Sequence, residues 1–130
     1  MQYLKAALLS VYEGDGALQS VVKNMYFVNR PASGQRPFVL IRPIVGSHIY
    51  TSHNRIDWLP INFVVEARTE ASLMAAVDLI YLAYDTASLI YTGSYTHVSI
   101  RRVDFDGPHE DSGTWTFTIY YVIQRVKVRA

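Results

Sequence analysis

Residues 69–89 form a helical run that is apolar on nearly every side, and this restricts what the rest of the chain can be. At about 100° per residue, Leu73, Ala76, Val77, Ile80, Tyr84 and Ala87 make one broad stripe. Ala75, Leu79 and Leu82 make a second stripe on the back, with only Asp78 and Asp85 as a charged wedge between the two. A helix packed on one sheet needs a single apolar face. One with two is either deep inside a large core or covered by another protein. A chain of 130 residues is most simply one domain, and it removes only roughly two thirds of its unfolded surface from water. That is too little for the first alternative. The pattern predicts an assembly subunit with Ala75, Asp78, Leu79, Leu82 and Asp85 at its subunit interface, joined by Tyr120 from the last strand.

The remaining apolar runs supply a sheet for this helix. Residues 2–13 place Leu4, Ala7, Leu8, Val11 and Tyr12 at helical spacing, and Gly14-Asp15-Gly16 ends that helix. A short helical turn follows over residues 17–23, then a brief strand over 25–28 and a proline-bearing loop over 29–37. Residues 38–45 read as a strand in which Pro43 marks an edge or bulge. The polar stretch 46–54 reads as the turn to a hairpin partner, residues 55–68. There Ile56 and Trp58 are out of phase with Ile61, Phe63, Val65 and Ala67, which a bulge at Leu59-Pro60 would explain. Thr69 is a good N-cap for the central helix, contributing about 1 kcal/mol. A strand over 96–105, an acidic turn over 106–113 and a clean final strand complete the chain. In that last strand Trp115, Phe117, Ile119, Tyr121 and Ile123 alternate with Thr116, Thr118, Tyr120 and Val122. The expected fold is α+β: a mostly antiparallel sheet of four to five strands with two helices packed on one face. The other face carries Thr, Tyr, Val and Arg, which suits a sheet that meets another sheet or lines something.

Signatures of chemistry are missing. A net charge of +1 exerts no global pull on nucleic acid, anionic membrane or acidic substrates. Without cysteine there are no disulfides or thiolate metal sites, and the redox compartment stays open. Met1-Gln2-Tyr3-Leu4-Lys5 lacks the pattern of a secretory signal, and no apolar run approaches the roughly 20 residues of a bilayer span. A soluble protein made in a cytoplasm, without membrane contact, is expected. His48 and His53 share one loop at a spacing unlike a helical metal pair. Asp104, Asp106, Gly107, Glu110 and Asp111 suggest an oxygen cage, but a calcium loop needs fixed alternate ligands between two helices, and Pro108 intrudes. The glycine turns cradle no phosphate, and no serine sits in a nucleophile elbow. No catalytic residue, metal ligand or cofactor is expected.

One charge pattern stands out. Arg125, Lys127 and Arg129 alternate with Val126 and Val128, so they project from one side of the last strand, and Arg101 and Arg102 join them if the last two strands pair. This is either a solubilising C-terminus or a basic rim that meets DNA phosphates or an acidic partner in a salt-sensitive way. Net neutrality and the lack of interleaved aromatics argue against sequence-specific DNA recognition.

From about Met25 onward, the order of elements resembles the tail terminator (tail completion) proteins of long-tailed bacteriophages. The likeness is carried by Arg36-Pro37-Phe38-Val39-Leu40, by Ile61-Asn62-Phe63-Val64-Val65-Glu66-Ala67 and by the helix over 71–89. It continues through Asp106-Gly107 into Trp115-Thr116-Phe117-Thr118-Ile119-Tyr120-Tyr121-Val122. The resemblance implies a non-enzymatic subunit that closes into a hexameric ring in the tail or neck of a virion assembled in the host cytoplasm. The ring caps the tail tube, halts its polymerisation and offers the surface for head or neck joining. Its partners are further copies of the chain, the tail tube protein, neck or head-completion proteins, and DNA passing through the lumen without sequence recognition. Loops 29–37, 46–54 and 106–113 are the candidates for ordering on docking. Three rival functions stay open: a neck or head-completion (connector) subunit, a small α+β enzyme or ligand-binding domain lined by Tyr81, Tyr84 and His97, and a DNA-binding module using the basic stripe.

Overall fold

The computed structural model describes residues 2–29, 35–44, 46–50 and 54–128. In chain order these form α1 (Gln2–Glu13), α2 (Gly16–Val21), β1 (Asn24–Phe27), β2 (Phe38–Pro43) and β3 (Ser47–Tyr50). They continue with β4 (Asn54–Ala67), α3 (Glu70–Tyr84), β5 (Tyr95–Asp111) and β6 (Thr114–Val128). The sheet order is β1-β2-β4-β6-β5, with β3 paired to β4 beside the end of β2. Only β1 and β2 run parallel. The α+β architecture is as expected, enlarged by a third helix and a sixth strand.

Alternation explains the core. Phe63 pairs with Ile119, Ile61 with Tyr121 and Val65 with Phe117, so the odd-numbered residues of β4 and β6 share one face. All of them are buried against Leu73, Ala76, Val77, Ile80 and Tyr84 of α3 and Leu4 and Leu8 of α1. The Phe63 ring lies 4.8 Å from that of Tyr84 and 5.2 Å from that of Tyr121. The Tyr84 hydroxyl donates to the Leu8 carbonyl at 2.8 Å, tying α3 to α1. Thr69 caps α3 as expected, its hydroxyl accepting from the Ser72 N–H. The helix stops at Tyr84 rather than Leu89. Asp85, Thr86 and Ser88 are poor helix formers, and Asp85 is held by the sheet instead.

The open questions of register resolve differently from the sequence expectations. The stretch 46–54 is not merely a turn, since β3 forms within it and pairs Ser47 through Tyr50 with the first half of β4. No bulge lies at Pro60, because the β4–β6 register runs unbroken from Asn54↔Val128 to Ala67↔Trp115. Ile56 and Trp58 therefore lie on the face away from the helices. Pro60 is tolerated in an interior strand for a simple reason. Its carbonyl accepts from the Ile44 N–H at 2.9 Å, so its nitrogen faces the gap between the end of β2 at Pro43 and the start of β3 at Ser47.

The bulges lie instead in β5, at His97/Ser99, Arg102/Asp104 and Asp106/His109. The third requires glycine, because Gly107 has φ +142 and a Cβ there would meet Phe117 and Thr116 at 3.0 Å. The acidic segment 106–113 is likewise mostly strand. The turn is only Ser112-Gly113, at φ 51 and φ 82, a two-residue hairpin connection. Of the expected loops, residues 30–34 and 51–53, including His53, lie outside the described residues.

Candidate assembly surface

The outer side of α3 carries the residues predicted to meet another subunit. Ala75 and Asp78 are exposed, Leu79 is half-buried against the core margin, and Leu82 is 78% exposed. Asp78, Tyr81, Leu82, Asp85 and Thr86 line an open groove of about 500 Å³. One of its lining residues, Asp85, is tied to the sheet. The Tyr121 hydroxyl donates to Asp85 Oδ1 at 2.7 Å, and Arg102 Nη2 lies 3.3 Å from Asp85 Oδ2. The Arg102 guanidinium also stacks 3.6 Å above the Tyr81 ring. Arg102, Val103, Asp104 and Phe105 line a second groove of about 280 Å³. Phe105 is 57% exposed although its ring stacks on Phe117 at 5.6 Å. Tyr120 does not join this surface. It pairs with Asn62 and Asp104 on the face turned away from the helices.

Among the described residues, the cations of the expected basic rim do not share one surface. Arg125 is an odd-numbered residue of β6, so it continues the inward stripe of Phe117 to Ile123 and is only 5% exposed. Its Nε lies 3.1 Å from Asp57 Oδ2, and its guanidinium stacks 3.8 Å above the Tyr95 ring. Lys127 is half-buried on the same side, 5.5 Å from that ring. Arg101 is exposed on the opposite face from Arg102, since they pair with Val122 and Tyr121 respectively. Arg129 lies outside the described residues. Position in the strand, not charge, decides where these cations go.

Burial pushes the Tyr91 phenol up to about 12, against the pull of the Arg125 charge. It lowers His97, which faces Arg125 across the strands. Burial and the Asp85 carboxylate together raise Tyr121 well above the usual tyrosine range. Tyr81, Tyr84 and His97 do not converge on one pocket: Tyr84 is sealed in the core, Tyr81 lines the α3 groove, and His97 sits beside Arg125. Among the described residues, no group of three or more His, Asp or Glu is placed to hold a metal. No helix among them is long and apolar enough to cross a membrane.

Sequence reasoning did not single out a second exposed cluster, at the ends of β1 and β2. Val28 is 52% exposed and Ile44 44% exposed, with Arg42 exposed near both. Val28 adopts φ 74, which nothing in the sequence signals, because β-branched residues rarely enter that region.

The fold is thus a two-layer α+β architecture with open grooves along its α3–β5 side. No protein-family model matches the chain, and no curated protein matches it in sequence. Among solved structures it is similar in fold to a chain in the virion of a native gene transfer agent particle. That alignment has a TM-score of 0.69 and 12% identity, and covers 96% of each chain.

Proposed function

We propose that this chain is a structural virion subunit and, within that class, a tail terminator. Its hexameric ring caps the tail tube, stops polymerisation and presents the surface for head or neck joining. The observation that carries this reading is the extent of the fold likeness to a virion chain, which runs over 96% of each chain rather than over a shared fragment. The surface supports it. Leu82, Val103 and Phe105 lie exposed along grooves with no catalytic constellation, and burying what remains open of each would contribute roughly 1–2 kcal/mol. DNA would traverse such a ring without being read in sequence, since Arg125 and Arg102 are both engaged by aspartates within the subunit. The mechanism is geometric: a contact between unlike surfaces closes at a fixed number of copies, and one ring face matches the last tube ring while the other does not.

Native mass by light scattering, and negative-stain images of the purified protein mixed with tail tubes or with heads, test the proposal. A ring of six that sits on tube ends is the expected result. A ring that binds heads and ignores tubes makes the chain a neck or head-completion subunit. A monomer that binds neither overturns the reading.

A further inference from the structure

Among the described residues, seven large apolar side chains are exposed; five of them fall on two flanks, and Ile90 and Val98 are the other two. Leu82, Val103 and Phe105 lie where α3 meets β5, while Val28 and Ile44 lie past the ends of β1 and β2. The sheet order places β1–β2 and β5 on opposite edges, so these are separate patches on opposite sides of the subunit.

Their charges are opposite too. On the helix side of this flank, Asp78 and Asp85 stand against Arg102, leaving one net negative charge, while Asp104 turns to the other face with Arg101. Arg102 is already bound to Asp85. The other flank carries Arg42. The Val28 N–H donates to the Ile41 carbonyl at 2.9 Å, which sets Val28 beside Arg42, and Ile44 follows two residues on. The backbone of Val28 adds a second reason to single out this flank. A β-branched residue at φ 74 is strained, and here the strain leaves an apolar side chain in water instead of packing it in the core.

We propose that copies of the chain join head to tail. The α3–β5 flank of one copy (Asp78, Leu82, Val103, Phe105) receives the β1–β2 flank of the next (Val28, Arg42, Ile44). This rests on the ring reading above and names its interface. Two unlike, complementary patches on opposite edges make a heterologous contact, the kind that generates rings. A symmetric contact of the acidic flank with itself would set like charges against each other.

The test uses two variants of the full chain, each disabling one flank at exposed positions: Leu82→Glu with Val103→Glu, and Arg42→Glu with Ile44→Glu. Circular dichroism verifies that both stay folded. At a concentration where the unaltered chain runs as a ring, each variant alone should run as one copy of 14.8 kDa. Their equimolar mixture should run at twice that mass and no higher, because only one sound pair of flanks remains. A milder arm tests the charge pairing: Asp78→Lys weakens assembly at least tenfold, and adding Arg42→Glu restores it. Rings formed by both variants, or a mixture that stays monomeric, overturn the assigned flanks and leave the ring reading intact. An unaltered chain that stays monomeric even with tail tubes overturns both.

Discussion

Two arginine–aspartate pairs occupy the helix side of the same sheet under different physics. Asp57 and Arg125 are each 5% exposed and 3.1 Å apart, roofed by Tyr95 and Tyr91. Asp85 and Arg102 are 3.3 Å apart, with 30% and 36% of their side chains open to water, and Tyr81 beneath the guanidinium. Each pair also has a tyrosine neighbour whose phenol is raised by burial. The neighbours differ in sign of effect: the Arg125 charge pulls Tyr91 back down, and the Asp85 carboxylate lifts Tyr121 further. A sealed pair cannot lose one member without stranding a charge in low dielectric, so it belongs to the fold. A half-open pair contributes little to stability and is free to be rearranged by a partner.

Substitution should separate the two. Arg125→Met strands Asp57 with only the partly exposed Arg55, 3.0 Å away, and should destabilise the fold by about 3 kcal/mol. Urea unfolding measures this, and adding Asp57→Asn should recover part of the loss. The alkaline limb comes next. Tyr91 holds its proton more tightly folded, at about 12 against 10.0. Stability is therefore intact below pH 10 and falls as pH rises from 10 toward 12. A Tyr91→Phe variant should lose less stability across that window than the parent, and an equal loss would show that the phenol is not the group responsible. The smallest effect belongs to Arg102→Ala. A half-exposed pair with a ring contact contributes about 1 kcal/mol, so the thermal midpoint should move little, and a large drop would erase the contrast between the pairs.

Local periodicity made much of this molecule legible. The five residues by which α3 packs, Leu73, Ala76, Val77, Ile80 and Tyr84, are the inner stripe expected from helical spacing, and the odd positions of β6 are the expected core face. What escaped depends on partners far away in the chain. Arg125 carried the inward parity, but its tolerance there comes from Asp57, 68 residues earlier. The outer half of β5 passed for a loop because an edge strand wet on both faces shows no alternation. Within the candidate surface, the openness of Leu82 agrees with the double-faced helix, and Tyr120 lies on the sheet face away from the helices, as the alternation of β6 predicts. Val28 was invisible because a backbone angle leaves no trace in composition.

The irregular outer strand has a consequence for growth. Its 17 residues lie along a neighbour of 15, with three interruptions of register. A straight incoming backbone would find the free amide and carbonyl groups out of step at each one. Main-chain stitching, the route by which sheets extend without limit, is thereby barred along this border. A partner meeting this border would therefore be held by side chains, whose geometry is specific where main-chain pairing is not.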